Sequence, residues 1–366
     1  MARFVEHLGR GSSVAQGMRF SICALSFFPV WVGWALRAQE VQVPKDGTAP
    51  TLHVYTNLLQ VPTLVLTMNQ DLIHKPIAES RFSVSIDSGR WFRATHVRRE
   101  GDDPISLSIL MDMSGETTTL RRRIGDAIAN LAPLSLYAKD RVSVYALGCS
   151  LVRSRDDTPP VLKGSIAAAL ERSMLHSNQP KKNCELKGHL WDGLAQVAIA
   201  LSDLPGRRVI LVITDGLDIG SKRSWDELRE YAQVKGIAIF ALKFARGGYP
   251  TTGGSFLEKP LMSVCELSGG IVMRMSKPAA LSKSLERFVT MLRERYIVEF
   301  PRPANSTAGQ HGLEVKIDKG VYIIIRPSGV SAALPDPALI ADPSTIQAGP
   351  SQAPEQGTRK PVTKPQ

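Results

Sequence analysis

The chain is short of the residues that build the commonest reactive sites. Cysteine occurs four times in 366 residues, at Cys23, Cys149, Cys184 and Cys265. That is too few for a disulfide scaffold. Aromatics make up 6% of the chain. The basic pairs Arg98-Arg99, Lys181-Lys182, Arg207-Arg208 and Lys222-Arg223 have no aromatics interleaved for base stacking, which argues against nucleic acid as a partner. His176, His189 and His311 stand outside any Ser-His-Asp or Cys-His arrangement, so no nucleophile-base pair is assembled. Long apolar runs are missing as well, with one exception near the N-terminus.

That exception is Phe20 to Leu36, FSICALSFFPVWVGWAL, with Arg19 before it and small residues near Ala38 after it. A basic flank, an apolar core and a small-residue end read as a secretory signal over residues 1–38. The run is at the short limit for spanning a bilayer, and Pro29 interrupts it; an uncleaved anchor is the alternative. Export places the mature chain outside the cell or in the periplasm and cell envelope. Contact with a membrane is expected only if this segment stays attached.

What is present in quantity suits a globular protein: 43% apolar and 22% charged residues, in a length sufficient for one large domain or two ordinary ones. The formal net charge is +11; residues 1–38 carry +3 of it and residues 330–366 sum to zero. The remaining excess is scattered and reads as a mildly cationic, solvated surface.

Residues 39–50, with Pro44 and Gly47, look like a linker. From 51 to 103 the pattern is β: LHVYT, VPTLVLTM, FSVSID and WFRATHV, four short strands with no helix between them. From 104 to 295 strands alternate with helices. SLSILMD, RVSVYALG, VILVITDG, IAIFAL and GGIVMRM read as strands. Leu120 to Leu131, Ile166 to Leu175, Leu190 to Leu204, a segment opened by the capping box Ser224/Glu227 and closed by Gly236, Pro260 to Leu267, and Leu281 to Arg295 read as helices. Such alternation predicts an α/β fold, a doubly wound and mostly parallel sheet covered on both faces. YIVEF, GLEVKI and VYIIIRP, within 296–328, are expected to pack with the 51–103 segment as a small antiparallel β domain. Residues 329–366, rich in Pro and Ala, are expected to stay disordered.

Two of the apolar runs end alike. Ile109-Leu110-Met111 stops at Asp112, Met113, Ser114, Gly115 and Glu116; Val209 to Ile213 stops at Thr214, Asp215 and Gly216. Each hands a carboxylate to the C-terminal end of a buried strand, where open parallel sheets bind ligands. Carboxylates with a hydroxyl are hard oxygen donors, suited to Mg²⁺, Mn²⁺ or Ca²⁺. Cys149, at a strand end, and Cys184, in a loop before GHLWD, could form a disulfide at the same rim in an oxidising compartment; buried free thiols are the alternative.

These motifs resemble the von Willebrand factor A domain, whose metal-ion-dependent adhesion site combines a D-x-S-x-S loop with a distant Thr and a distant Asp. Asp112, Ser114 and Asp215 match three of its positions. Glu116 stands where the second Ser belongs, and Gly188, before HLWD, where the Thr belongs. The order of segments, including LRERYIVEFPRP and HGLEVKI, resembles the acidobacterial-type family of such proteins between about Leu52 and Pro327. The resemblance implies a protein-binding or adhesion module, not an enzyme. Asp112, Ser114, Glu116 and Asp215 would hold a divalent cation weakly, and the partner protein would present a carboxylate to it. Arg121, Arg122 and Arg123 follow the site loop, and one of them paired with Glu116 would replace the ion. The competing expectation is a Mg²⁺-dependent phosphoryl-transfer hydrolase. There Asp112 would be the nucleophile, Asp215 a metal ligand and Lys243 the charge stabiliser.

Overall fold

Eight consecutive buried residues, Ile105–Asp112, form the strand around which the protein is assembled. The computed structural model describes residues 53–55, 58–113, 127, 136–154, 164–177, 188–244, 259–275, 280–301, 309–318, 323–329, 331–334 and 345–347. Its strands are β1 (His53–Tyr55), β2 (Leu58–Thr67), β3 (Phe82–Ile86), β4 (Phe92–Arg93), β5 (His96–Arg99), β6 (Ile105–Asp112), β7 (Arg141–Leu147) and β8 (Leu151–Arg153). After α1 (Ser165–Ser177) and α2 (Leu190–Ser202) come β9 (Arg207–Thr214), α3 (Trp225–Lys235), β10 (Ile237–Phe244), α4 (Lys259–Leu267), β11 (Val272–Met275) and α5 (Leu281–Arg293). The chain continues through β12 (Tyr296–Pro301), β13 (Gly309–Ile317), β14 (Ile323–Pro327), β15 (Ser331–Leu334) and β16 (Thr345–Gln347). Of the helix expected from Leu120 to Leu131, only Ala127 is among these residues, helical and buried.

The architecture is mixed α/β. The main sheet runs β11-β10-β9-β6-β7-β8, parallel throughout except for β8, which returns antiparallel to β7. Each central strand buries both faces, as its near-continuous apolar sequence requires. Along β9, Val209, Leu211 and Ile213 enter one core with α1 and α5, whereas Ile210 and Val212 enter a second core with α2, α3 and α4. In β10, Phe240 and Leu242 face the first core, Ile239 and Ala241 the second. Phe288 of α5 meets Phe240 edge-on, with ring centroids 5.2 Å apart. That geometry suits the ring quadrupoles and adds to their burial.

Outside this unit lie two antiparallel sheets, β14-β2-β12-β5 and β15-β13-β3-β4. Val61, Val65, Phe82, Val84, Val298 and Phe300 fill the space between them. The alternation of β2 joins the parts: Leu64 and Leu66 point the other way, into the core beneath α5. One strand thereby serves two cores.

Two expectations change. The run WFRATHV is two strands, because Ala94 N donates to Phe82 O at 3.1 Å while Thr95 N donates to Glu299 O at 2.8 Å, sending neighbouring residues to different sheets. The segment after 329 is also not without structure. Residues 331–334 pair antiparallel with β13, and 345–347 pair with β1 in parallel. Backbone pairing asks little of side-chain hydrophobicity, so composition did not reveal these strands.

Candidate functional site

The strand order reverses between β6 and β9, and Asp112 ends the first of these as Thr214 ends the second. Met111 pairs with Ile213, so the next residues on each strand lie side by side. Thr214 Oγ1 donates to Asp112 Oδ2 at 2.7 Å, and both residues are fully buried. The same hydroxyl oxygen accepts from the Gly216 backbone N–H at 2.9 Å. One hydroxyl therefore ties the carboxylate to the following turn. Met113 N donates to Leu147 O at 2.7 Å, which draws the start of the next loop towards β7.

The turn after β9 is built from left-handed backbone and acidic side chains. Asp215 Oδ1 accepts from Leu217 N at 3.0 Å, an Asx-type closure. Gly216 has φ +81°, and a Cβ there would lie 3.1 Å from Leu261 and 3.4 Å from Lys243 Cε. The aliphatic stem of Lys243 thus packs under the turn. Farther along, Asp218 Oδ1 accepts from Trp191 N at 3.1 Å and from Ser221 Oγ at 2.5 Å. Ser221 Oγ in turn accepts from Asp192 N at 3.1 Å. Asp192 accepts from the N–H groups of Lys222 and Arg223, each at 3.0 Å. Burial pushes the Asp192 carboxyl up, but those two N–H groups, with His189 and Arg223 nearby, outweigh it and hold the carboxyl below its usual value. The first turn of α2 and the loop 215–224 are consequently one hydrogen-bonded body. Gly193 seats α2 against the sheet, since a Cβ there would come within 2.7 Å of Leu147 Cδ2.

The structure brings Asp112 and Asp215 to adjacent strand ends. Ser114, Glu116, Cys184 and Arg121 to Arg123 lie outside the described residues. Cys149 is disulfide-bonded, and its N–H donates to Ser177 O at 3.0 Å; Cys265 is free and buried. Burial, with Glu266 adding to it, pushes the Cys265 thiol far above its usual range, so this thiol is inert. Thr214 is the site residue that sequence reasoning missed. Its signal was the Thr of TDG, a hydroxyl at the last position of a buried strand.

Gly188 gains a physical meaning. It has φ +78°, its carbonyl accepts from Ile219 N at 2.6 Å, and a Cβ there would lie 3.3 Å from Ile219 Cβ. A β-branched residue does not fit this backbone. The left-handed backbone at Gly188 is therefore built into the loop. The donors at the rim are all oxygen and fit a hard divalent cation in kind. Among the described residues no three His, Cys, Asp or Glu side chains converge on one point.

No family model and no curated protein matches the chain. Solved structures that resemble it include proximal thread matrix protein 1 from the mussel byssus, at 15% identity and TM-score 0.42, over 57% of this chain and 50% of that one. This chain therefore spans about half the length of the mussel protein. A further structure of that protein is described as having a zinc-occupied MIDAS motif (13% identity, TM-score 0.38, over 53% of this chain and 49% of that one). An aerotolerance-related membrane protein from Bacteroides fragilis aligns at 15% identity and TM-score 0.35, over 51% of this chain and 98% of that one. The pilus adhesin SpaC from Lactobacillus rhamnosus GG aligns at 9% identity and TM-score 0.39, over 68% and 47%.

Proposed function

We propose that the chain is an exported protein-binding module that engages its partner at the C-terminal rim of the main sheet, through a reduced form of the metal-ion-dependent adhesion site. The observation that carries this reading is the Asp112–Thr214–Gly216 chain of hydrogen bonds at the point where the strand order reverses. Asp112 and Asp215, with Ser114 and Glu116 from the following loop, would hold Mg²⁺, Mn²⁺ or Ca²⁺. The ion would supply a Lewis-acidic position for a carboxylate of the partner. The chain's own residues set the rest: Thr214 fixes the Asp112 carboxylate, and the body formed by α2 and loop 215–224 presents a rigid surface around it. Preorganisation of that kind lowers the ordering cost of binding.

A hydrolase with Asp112 as nucleophile finds less support. Thr214 Oγ1 donates to Asp112 Oδ2, an orienting bond that suits a metal-ligating carboxylate and blunts a nucleophilic one. Lys243 does lie on the same rim, beside Gly216.

The two readings separate in one experiment on the full chain. Thermal unfolding is followed with and without millimolar Mg²⁺ or Mn²⁺, for wild type and Asp112→Ala, alongside release of p-nitrophenol from p-nitrophenyl phosphate. Binding predicts a metal-dependent rise in the midpoint that Asp112→Ala abolishes, with no Asp112-dependent turnover. With the ion at its dissociation constant the rise corresponds to about 0.4 kcal/mol, growing to about 2.7 kcal/mol at a hundredfold excess. Turnover lost in Asp112→Ala would overturn the binding reading.

A further inference from the structure

The opposite end of the main sheet carries a cleft that the proposed function does not use. It lies where the first residues of β9 and the last of α3 face β2 and the Ser328-Gly329 turn after β14, and it has a volume of about 200 Å³. Arg207, Arg208, Lys235 and Arg295 line it, and among the described residues that line it none is acidic. Four cations around a small space, without a carboxylate among them, is an arrangement that needs an explanation.

Two of the four are committed to partners behind the wall. Arg295 is fully buried and bonds Glu100 through Nε at 2.7 Å and Nη2 at 2.8 Å. Arg207 Nη2 bonds Gln60 Oε1 at 2.8 Å and lies 3.6 Å from Asp103. The other two meet no acid among the described residues. Arg208 Nη1 reaches the carbonyls of Ser202 and Leu204, at 3.1 and 3.5 Å, but its Nε is buried with no hydrogen-bond partner. Its Nη2 would lie 3.8 Å from a Cβ on Gly236, and Gly236 is itself a lining residue. Lys235 has no acidic partner among the described residues; its ammonium stands 6.0 Å from the Tyr231 ring centre. The two glycines let the walls approach closely here: Gly236 and Gly329 both have positive φ, and a Cβ on Gly329 would lie only 3.1 Å from Gly236 Cα.

We infer that this cleft binds a small dianion, a phosphate group or a compact dicarboxylate, between Arg208 and Lys235. A guanidinium whose Nε lacks a partner, beside an ammonium that meets no acid among the described residues, suits oxyanion recognition, the Arg by its fixed fork and the Lys as a point charge. The volume admits a group of that size and excludes most larger ligands. Burial pushes the Arg207 guanidinium down from its usual value, despite the acids near it, which marks this wall as poorly hydrated. An oxyanion there gains more than it would at the open surface. Because β2 and the turn after β14 supply the far wall, the bound anion would also brace the antiparallel sheets against the main sheet.

The test uses the full chain, with inorganic phosphate as the probe and sodium chloride at matched ionic strength as the reference. Isothermal titration and thermal unfolding are run on wild type, Arg208→Gln, Lys235→Gln and, as a charge-matched control at the opposite rim, Lys222→Gln. Phosphate should bind at one site and raise the midpoint, with affinity reduced roughly tenfold in Lys235→Gln and unchanged in Lys222→Gln. Lys235 meets only the Tyr231 ring, at 6.0 Å, so Lys235→Gln keeps the test decisive even if Arg208→Gln folds poorly. Equal effects of phosphate and chloride, or wild-type affinity in Lys235→Gln, would overturn the inference.

Discussion

The two ends of the main sheet are held by different chemistry. At the N-terminal end charge is met by charge. Glu100 and Arg295 form a buried, two-bonded pair, Arg293 pairs with Asp140, and Arg98 reaches Asp103 at 2.6 Å. Asp140 also accepts from the N–H groups of Ile105 and Tyr137, which fixes the start of β6. At the C-terminal end Asp192, Asp215 and Asp218 are met by backbone N–H groups and a hydroxyl. Ion pairs tie the sheets together, whereas acids satisfied by backbone shape loops. The first end is a clamp around a small cationic cleft, and the second is a platform.

This contrast is breakable by substitution, most severely at the clamp. Glu100→Gln leaves Arg295 buried with no compensating charge and should cost about 3 to 5 kcal/mol. For a protein of this size that is a fall of roughly 10 °C in the unfolding midpoint. The matching change at the platform, Asp215→Asn, keeps an acceptor for Leu217 N and should cost under about 1 kcal/mol. Equal costs in calorimetry would erase the distinction between the two ends.

A second substitution sharpens the platform itself. Thr214→Val removes the hydroxyl while keeping the side chain's shape, so Asp112 loses a donor and Gly216 N an acceptor, both at a buried position. The expected cost is about 1 to 3 kcal/mol by urea unfolding, with an unchanged m-value. A smaller effect is expected from Gly188→Thr, which restores the residue the family resemblance asks for. At φ +78°, with Ile219 at 3.3 Å, the new side chain is strained and should cost about 1 to 2 kcal/mol. Divalent affinity should not improve in that variant, as metal titration would report.

Much of the framework was legible because buried parallel strands must be apolar on both faces. Ile105–Asp112, Arg207–Thr214 and Ile237–Phe244 stand out in the sequence for that reason, and the Ser224/Glu227 capping box and Gly236 mark both ends of α3. β8, β15 and β16 were not legible; they are edge or near-edge strands of three or four residues whose pairing is carried by backbone. The candidate site was half legible. Asp112 and Asp215 announce themselves at strand ends, whereas the role of Thr214 depends on β6 and β9 being neighbours, a fact that no local pattern contains. The left-handed backbone of Gly188 was equally hidden, since the sequence shows only that a hydroxyl is missing.

The central claim is that the platform holds a divalent cation through an incomplete set of donors. The most direct measurement is a titration of the full chain with Mn²⁺, reading free ion by electron paramagnetic resonance, in wild type and Asp112→Asn. The account predicts one site of millimolar dissociation constant, lost in Asp112→Asn, because Mg²⁺- and Mn²⁺-type ions retain water where protein oxygens are absent. A micromolar constant would show a complete site, and Mn²⁺ binding unaffected by Asp112→Asn, or none at all, would show that the rim does not hold the ion.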